Sequence, residues 1–267
     1  VIAAVIFTVS AQQTGTDQNL HDLSSFQKRF IMQIKAILFD LDGTLLPMDQ
    51  DIFINAYFGG LSRKMAPHGY APDALINAIW AGTKAMIKND GSCTNEQAFW
   101  NCFCSILGEQ ARSTEPILQE FYETDFQKVQ QVCGYTAESA ALVNWLKGQG
   151  LRIILATNPI FPAIATESRI RWAGMQPSDF ELYTTYENSS YCKPNPDYYR
   201  AILEQCGLNP EECIMVGNDI GDDMVAKDLG MQVFLLTDCL INAQDAPISS
   251  YPQGGFHALR HFLEALL

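Results

Sequence analysis

The sequence predicts an α/β protein in which a parallel sheet, covered by helices on both faces, is interrupted after its first strand by an all-helical segment. Short apolar runs at 34–39, 151–156, 213–216 and 232–236 have the length and content of buried strands. Helical patterns precede the later runs, as at 137–147 and 196–206, and strands alternating with helices imply a parallel sheet. Between 49 and 133 the pattern is helical throughout and holds no convincing strand.

The first run ends at Asp40, and Gly43 marks a turn directly behind it. The segment that follows carries apolar residues at three-to-four spacing over 52–65, 74–87, 96–107 and 116–132, punctuated by Gly, Pro, Ser or Asn, so four helices are expected. The helix at 196–206 has clear ends. Asn195 can cap it, Pro196 suits its first turn, Asp197 favours the positive end of its dipole, and Gly207 can close it. The expected organisation is a sheet domain from 32–48 and 134–267, with 49–133 as a separate helical module.

Residues 1–31 are expected to be an N-terminal extension. The apolar run 1–9, followed by Ser10-Ala11, resembles the end of a secretory signal but lacks a basic start. Met32 stands just before the first strand, which favours reading 1–31 as upstream sequence outside the functional protein. A cytoplasmic location is expected, with secretion as the alternative if 1–11 is a truncated signal.

A chain of 267 residues, 48% hydrophobic and 18% charged, suits one large folded domain or two modest ones. Its net charge of -13 opposes non-specific attraction to nucleic acid or anionic membranes, and neither partner is expected. No stretch beyond the N-terminus approaches the roughly 20 apolar residues of a membrane span. The eight cysteines include no C-x-x-C pair, and several sit in apolar runs as Cys213 does, which favours buried thiols in a reducing compartment. His257 and His261 share a helix face, but Phe256, Leu259, Phe262 and Leu263 make that helix structural. Trp80, Trp100 and Trp145 read as packing residues. Arg63, Lys64, Lys84 and Lys88 read as solvated helix positions, with a second substrate anion as the alternative use.

The strongest chemical signal is Phe39-Asp40-Leu41-Asp42-Gly43-Thr44-Leu45-Leu46. Two carboxylates stand at the C-terminal end of a strand, the edge where open α/β sheets gather ligands, and strand alternation points them the same way. One can attack while the other moves a proton. Thr157 follows the second run, Lys193 opens Lys193-Pro194-Asn195-Pro196, and Val216-Gly217-Asn218-Asp219-Ile220-Gly221-Asp222-Asp223 forms an acidic group after the third. Singly, each suits a turn, a solvated charge or a helix start. Jointly they supply a nucleophile, a proton carrier, donors for phosphoryl oxygens and carboxylates for a metal.

These four motifs, in this order, resemble those of the haloacid dehalogenase superfamily of hydrolases, over essentially 35–236. The resemblance implies a Rossmann-like core with a helical cap inserted after the first motif, of the kind found in the first capped subfamily. It implies a Mg²⁺-dependent phosphatase for small phosphorylated metabolites, acting through an aspartyl-phosphate. Asp40 would be the nucleophile and a metal ligand. Asp42 would be the acid/base, with its backbone carbonyl on the metal. Gly43, Thr157, Asn158 and Lys193 would bind the phosphoryl group, with Thr157 and Lys193 also counted as catalytic. Asp219 would complete the metal ligands and Asp223 would support them from behind. Asn218 and Asp222 form an alternate register, because Asn218 stands where an acidic residue often occurs. A sugar phosphomutase, or a weakly catalytic regulatory or binding protein retaining the fold, are the competing readings. A dehalogenase fits less well, since C–halogen cleavage has no need of Asp42.

Overall fold

The computed structural model describes residues 33–267, so the expectations for 1–31 and for Met32 lie outside the described residues. Six strands form one sheet: β1 (Ala36–Phe39), β2 (Arg152–Leu155), β3 (Leu182–Tyr183), β4 (Cys213–Gly217), β5 (Gln232–Leu236) and β6 (Gln253–Gly254). Their order is β3-β2-β1-β4-β5-β6, and every pairing is parallel.

Strand β1 is central and buried on both faces, as its run of Ala, Ile, Leu and Phe requires. Alternation sends Ile37 and Phe39 into one core with Leu155 and Val216, and Ala36 and Leu38 into the opposite core with Ile154 and Met215. The register pairs Phe39 with Leu155 on one side and Val216 on the other. Asp40, Thr157 and Asn218 therefore leave the sheet close together at its C-terminal edge. The chain turns outward from β1 to β2 and β3, then returns to place β4 on the other side of β1. That reversal of strand order opens a crevice at this edge.

Four helices fill the segment between β1 and Cys133: α1 (Gln50–Met65), α2 (Pro72–Ile87), α3 (Asn95–Leu107) and α4 (Glu115–Glu123). Entry and exit run side by side, for Met48 bridges to Cys133 and the Gly134 N–H donates to the Pro47 carbonyl at 2.7 Å. The single helix expected over 116–132 is broken. Thr124 leaves helical geometry (φ -122°, ψ -75°), its hydroxyl donates to the Glu120 carbonyl at 2.6 Å, and the chain continues as a 3₁₀ segment over Asp125–Val132. The hydroxyl competes for a carbonyl in the closing turn, while Phe126 and Val129 keep the tighter segment buried.

The later helices are α5 (Ala137–Gly148), α6 (Ala163–Trp172), α7 (Pro196–Cys206) and α8 (Phe256–Leu266). The caps of α7 match expectation: the Asn195 side chain accepts from the Asp197 N–H at 2.9 Å, and Gly207 takes a left-handed conformation. Two-residue β3 and β6 give no sequence signal, being too short for any period. The segment beyond the acidic motif is a six-residue 3₁₀ stretch, Met224–Leu229. Among the described residues, no helix is long and apolar enough to cross a membrane.

Candidate active site

Asp40 leaves β1 nearly buried, its N–H donating to the Val216 carbonyl at 2.9 Å. Its carboxylate has two partners: Lys193 Nζ donates to Oδ1 at 2.8 Å and Thr44 Oγ1 to Oδ2 at 3.2 Å. Thr44 also reaches Asn218 Oδ1 at 2.9 Å. A tight turn produces this arrangement, with the Gly43 N–H donating to the Leu46 carbonyl and the Leu46 N–H to the Leu41 carbonyl, each at 2.8 Å. Gly43 has φ +86°, and a Cβ there would collide with the Asn218 amide, so the turn requires glycine.

The turn brings Asp42 back toward Asp40. Asp42 Oδ2 is ion-paired with the guanidinium of Arg169, and Asp42 Oδ1 is buried with no hydrogen-bond partner among the described residues. Burial pushes the Asp42 carboxyl up to about 6, against the opposing pull of Arg169. Arg169 is itself buried on α6, where Nε donates to the Ala165 carbonyl at 3.3 Å and the guanidinium lies 4.5 Å from the Phe161 ring centre.

Thr157 is anchored through its carbonyl, which accepts from Thr184 Oγ1 at 2.6 Å and Tyr198 Oη at 2.8 Å. Asn158 turns its Nδ2 to Asp222 at 3.1 Å and leaves its buried Oδ1 unpartnered among the described residues. Lys193, joined to Pro194 by a cis peptide, is buried between Asp40 and Asp223, with Nζ 2.6 Å from Asp223 Oδ1. Burial alone would lower its pKa, but Asp223 and Asp40 together raise it well above the usual lysine value, so Lys193 is an ammonium.

The acidic motif is packed against this lysine. Asp223 Oδ2 accepts from the Asp219 N–H at 3.0 Å, and a Cβ on Gly217 would collide with the Asp223 carboxylate. Asp219 Oδ1 organises its own loop through the N–H groups of Gly221 at 2.7 Å and Asp222 at 3.0 Å. Asn218 uses both ends of its amide, with Oδ1 2.9 Å from Thr44 Oγ1 as an alternative acceptor for that hydroxyl and Nδ2 donating to the Cys239 carbonyl at 2.6 Å.

Asp40, Asp42, Thr157, Asn158, Lys193, Asp219 and Asp223 line one cavity of about 660 Å³, and so do the alternate-register residues Asn218 and Asp222. Gly43 shapes the turn without lining it. The same cavity runs up between α1, α2 and α3, where its wall is aromatic. One expectation changes here. Trp80 is a half-exposed wall residue rather than a packing residue, whereas Trp145 packs beneath Arg260. Arg63, Lys64, Lys84 and Lys88 do not line the cavity. Arg169 gives no sequence signal, since Ser168 and Arg169 are both buried and blur the apolar period by which α6 would be noticed.

Five aspartates and three glutamates line this cavity, with Lys193 lining it and Arg169 behind it, and one carboxylate oxygen is buried without a partner. Such a surplus of oxygen anions suits a hard divalent cation. Among the described residues the side chains alone form no ready group of three metal ligands. The Asp40 and Asp219 carboxylates both line the cavity.

Comparison with known proteins identifies the family and its relatives. The haloacid dehalogenase-like hydrolase profile matches residues 34–230. Hexitol phosphatase A of Escherichia coli is 26% identical over 237 residues, spanning 88% of this chain and 94% of that protein. N-acetylmuramic acid 6-phosphate phosphatase of Pseudomonas aeruginosa is 24% identical over 225 residues, spanning 81% and 87%. The HAD-hydrolase YfnB of Bacillus subtilis, solved bound to magnesium, superposes with a TM-score of 0.54 at 16% identity, covering 87% of this chain and 99% of that one.

Proposed function

The chain belongs to the haloacid dehalogenase-like hydrolases, and from that membership we propose that it is a Mg²⁺-dependent phosphatase of a small phosphorylated metabolite. The reading rests above all on the Lys193 bridge, which holds Asp40 and Asp223 at one point of the crevice. It is supported by the phosphatases among its relatives and by the magnesium in YfnB.

Asp40 attacks phosphorus in line with the departing ester oxygen, forming an aspartyl-phosphate. Thr44 and Lys193 hold its carboxylate in one rotamer, so little orientation is lost on reaction. Asp42, with a pKa raised to about 6 by burial, is the proton donor to the leaving oxygen. Once ionised, Asp42 takes a proton from the water that attacks the phosphoenzyme. Its pairing with Arg169 favours that ionised state.

The Lys193 ammonium balances phosphoryl negative charge, and Thr157 and Asn158 line the same end of the cavity. The Asp40 and Asp219 carboxylates and the Asp42 backbone carbonyl would hold Mg²⁺ with water, and the metal would supply positive charge against the phosphoryl group. Phosphate release from acetyl phosphate tests the proposal. Turnover with Mg²⁺, its loss on chelation and its loss in Asp40→Asn are the expected results. Turnover that survives both changes would overturn the proposal.

A further inference from the structure

The cavity does not end at the phosphoryl group. It continues into the helical cap, and the wall there is built for something other than a polyol or a second anion. Phe53, Tyr57, Phe99, Trp100, Tyr122 and Phe161 all line it, and Trp80 contributes a large apolar face that is 47% exposed.

Several of the wall's polar atoms are already engaged, while Trp100 Nε1 is buried with no hydrogen-bond partner among the described residues. Tyr57 and Tyr122 share a hydroxyl–hydroxyl hydrogen bond at 2.9 Å, leaving mainly ring surface to a ligand. Glu96 and Glu115 share Arg112 as ion-pair partner, at 3.5 and 3.3 Å, and that guanidinium stacks 4.4 Å from the centre of Trp100. Glu187 accepts the Ala163 N–H at the start of α6, at 2.9 and 3.1 Å.

Lys193 is the lone cation lining the cavity among the described residues, and it is committed to Asp40 and Asp223 at the phosphoryl end. A second phosphate or a carboxylate on the leaving group would enter a low-dielectric space edged by glutamates, with no free cation to meet it. A polyol would lose water from several hydroxyls against a wall that is mostly ring surface. A flat uncharged ring would bury apolar area and meet aromatic faces at offset or edge-on angles.

We propose that the substrate is the phosphomonoester of an uncharged alcohol bearing an aromatic ring, with the ring held in the cap wall and the phosphoryl group at Asp40. This inference rests on the phosphatase reading above and narrows it to a substrate class. It departs from the hexitol and amino-sugar phosphates named for the relatives, which are 26% and 24% identical to this chain. The reaction hydrolyses the P–O ester bond. The leaving alkoxide takes a proton, water supplies the oxygen that completes inorganic phosphate, and no further reactant is needed.

The experiment compares kcat/KM, with Mg²⁺, for 2-phenylethyl phosphate, glycerol 3-phosphate, phosphoglycolate and acetyl phosphate. The first two are both alkyl esters, so the comparison reports mainly on the pocket. We expect 2-phenylethyl phosphate to be preferred over glycerol 3-phosphate and phosphoglycolate by about 10- to 100-fold, the range by which apolar pockets discriminate. Trp80→Ala should lower the ratio of phenylethyl to glycerol turnover, a ratio in which any unfolded fraction cancels. Acetyl phosphate turnover without an aromatic preference, or an unchanged ratio in Trp80→Ala, overturns the substrate class and leaves the phosphatase standing. Absence of turnover with all four substrates overturns both.

Discussion

Arg169, buried on α6, is ion-paired with Asp42, the carboxylate two residues after Asp40 in the first motif. Burial and Arg169 pull the Asp42 carboxyl in opposite directions, and burial prevails. The guanidinium also stacks on Phe161 and donates into its own helix, so its position is fixed from several sides.

Replacing Arg169 with Met removes the cation and keeps an unbranched side chain. The attraction that favours ionised Asp42 disappears, so its pKa rises further. In the proposed mechanism the first chemical step uses protonated Asp42, so the alkaline limb of the kcat/KM profile should move to higher pH. Dephosphorylation, which uses ionised Asp42, should slow at neutral pH. A pH–rate series on wild type and R169M checks the sign, and an alkaline limb that stays in place or moves downward would show that Asp42 is not the group being titrated.

Asp40→Asn and Asp42→Asn should fail differently. The first removes the attacking carboxylate and should abolish turnover. The second keeps shape and should lower turnover by roughly 10² to 10⁴, the usual contribution of general acid/base catalysis. With a leaving group that needs little protonation, rapid quench of Asp42→Asn should reveal accumulated phosphoenzyme on Asp40. Full turnover by D42N across leaving groups would remove Asp42 from the mechanism.

Lys193 is enclosed by Asp40 and Asp223, and Lys193→Met leaves two carboxylates facing one another in a buried site. Breaking a buried pair from one side costs about 3 to 5 kcal/mol. Chemical denaturation of K193M without metal should show a loss of that size. The double change Lys193→Met with Asp223→Leu should recover much of the stability and none of the activity. Equal stability of the single and double variants would mean that the pairing with Asp223 carries little energy.

Much of this site is legible in the amino-acid sequence because its signals are local. Asp40, Thr157, Lys193 and Asp219 each follow or precede an element with strong signals: apolar runs for β1, β2 and β4, and the Asn195 and Gly207 caps for α7. The residues that escape notice depend on long-range packing. Arg169 lies on a helix whose apolar period is interrupted by buried Ser168 and Arg169 itself. The aromatic wall is assembled from Phe53, Phe99, Trp100, Tyr122 and Phe161, which no spacing links and which read as ordinary core. Trp80 looks like a packing residue in sequence, and only the fold leaves it at an open cavity.

Asn95, the first residue of α3, is fully buried and ties the cap to both core loops that carry site residues. Its Nδ2 lies within hydrogen-bond distance of the Pro159 carbonyl at 3.2 Å, beside Asn158, and of the Tyr191 carbonyl and Cys192 Sγ at 3.3 Å, beside Lys193. Its Oδ1 accepts from Asn89 at 2.9 Å, and its backbone N–H donates to the Ser189 carbonyl at 2.8 Å. Asn95→Ala leaves these buried acceptors and the Asn89 donor unpaired, at a cost of about 1 to 3 kcal/mol. That cost falls on the arrangement in which the cap sits against the core, so the fraction of molecules with a complete cavity should drop. Apparent affinity falls in proportion to that fraction, so KM for a substrate that fills the cap should rise by roughly tenfold, while kcat at saturation changes less. Acetyl phosphate has nothing to place in the cap and should show a smaller rise. Steady-state kinetics on both substrates read the difference, and an equal loss of kcat on both with no change in KM would show that Asn95 acts on the chemical step rather than on cap docking.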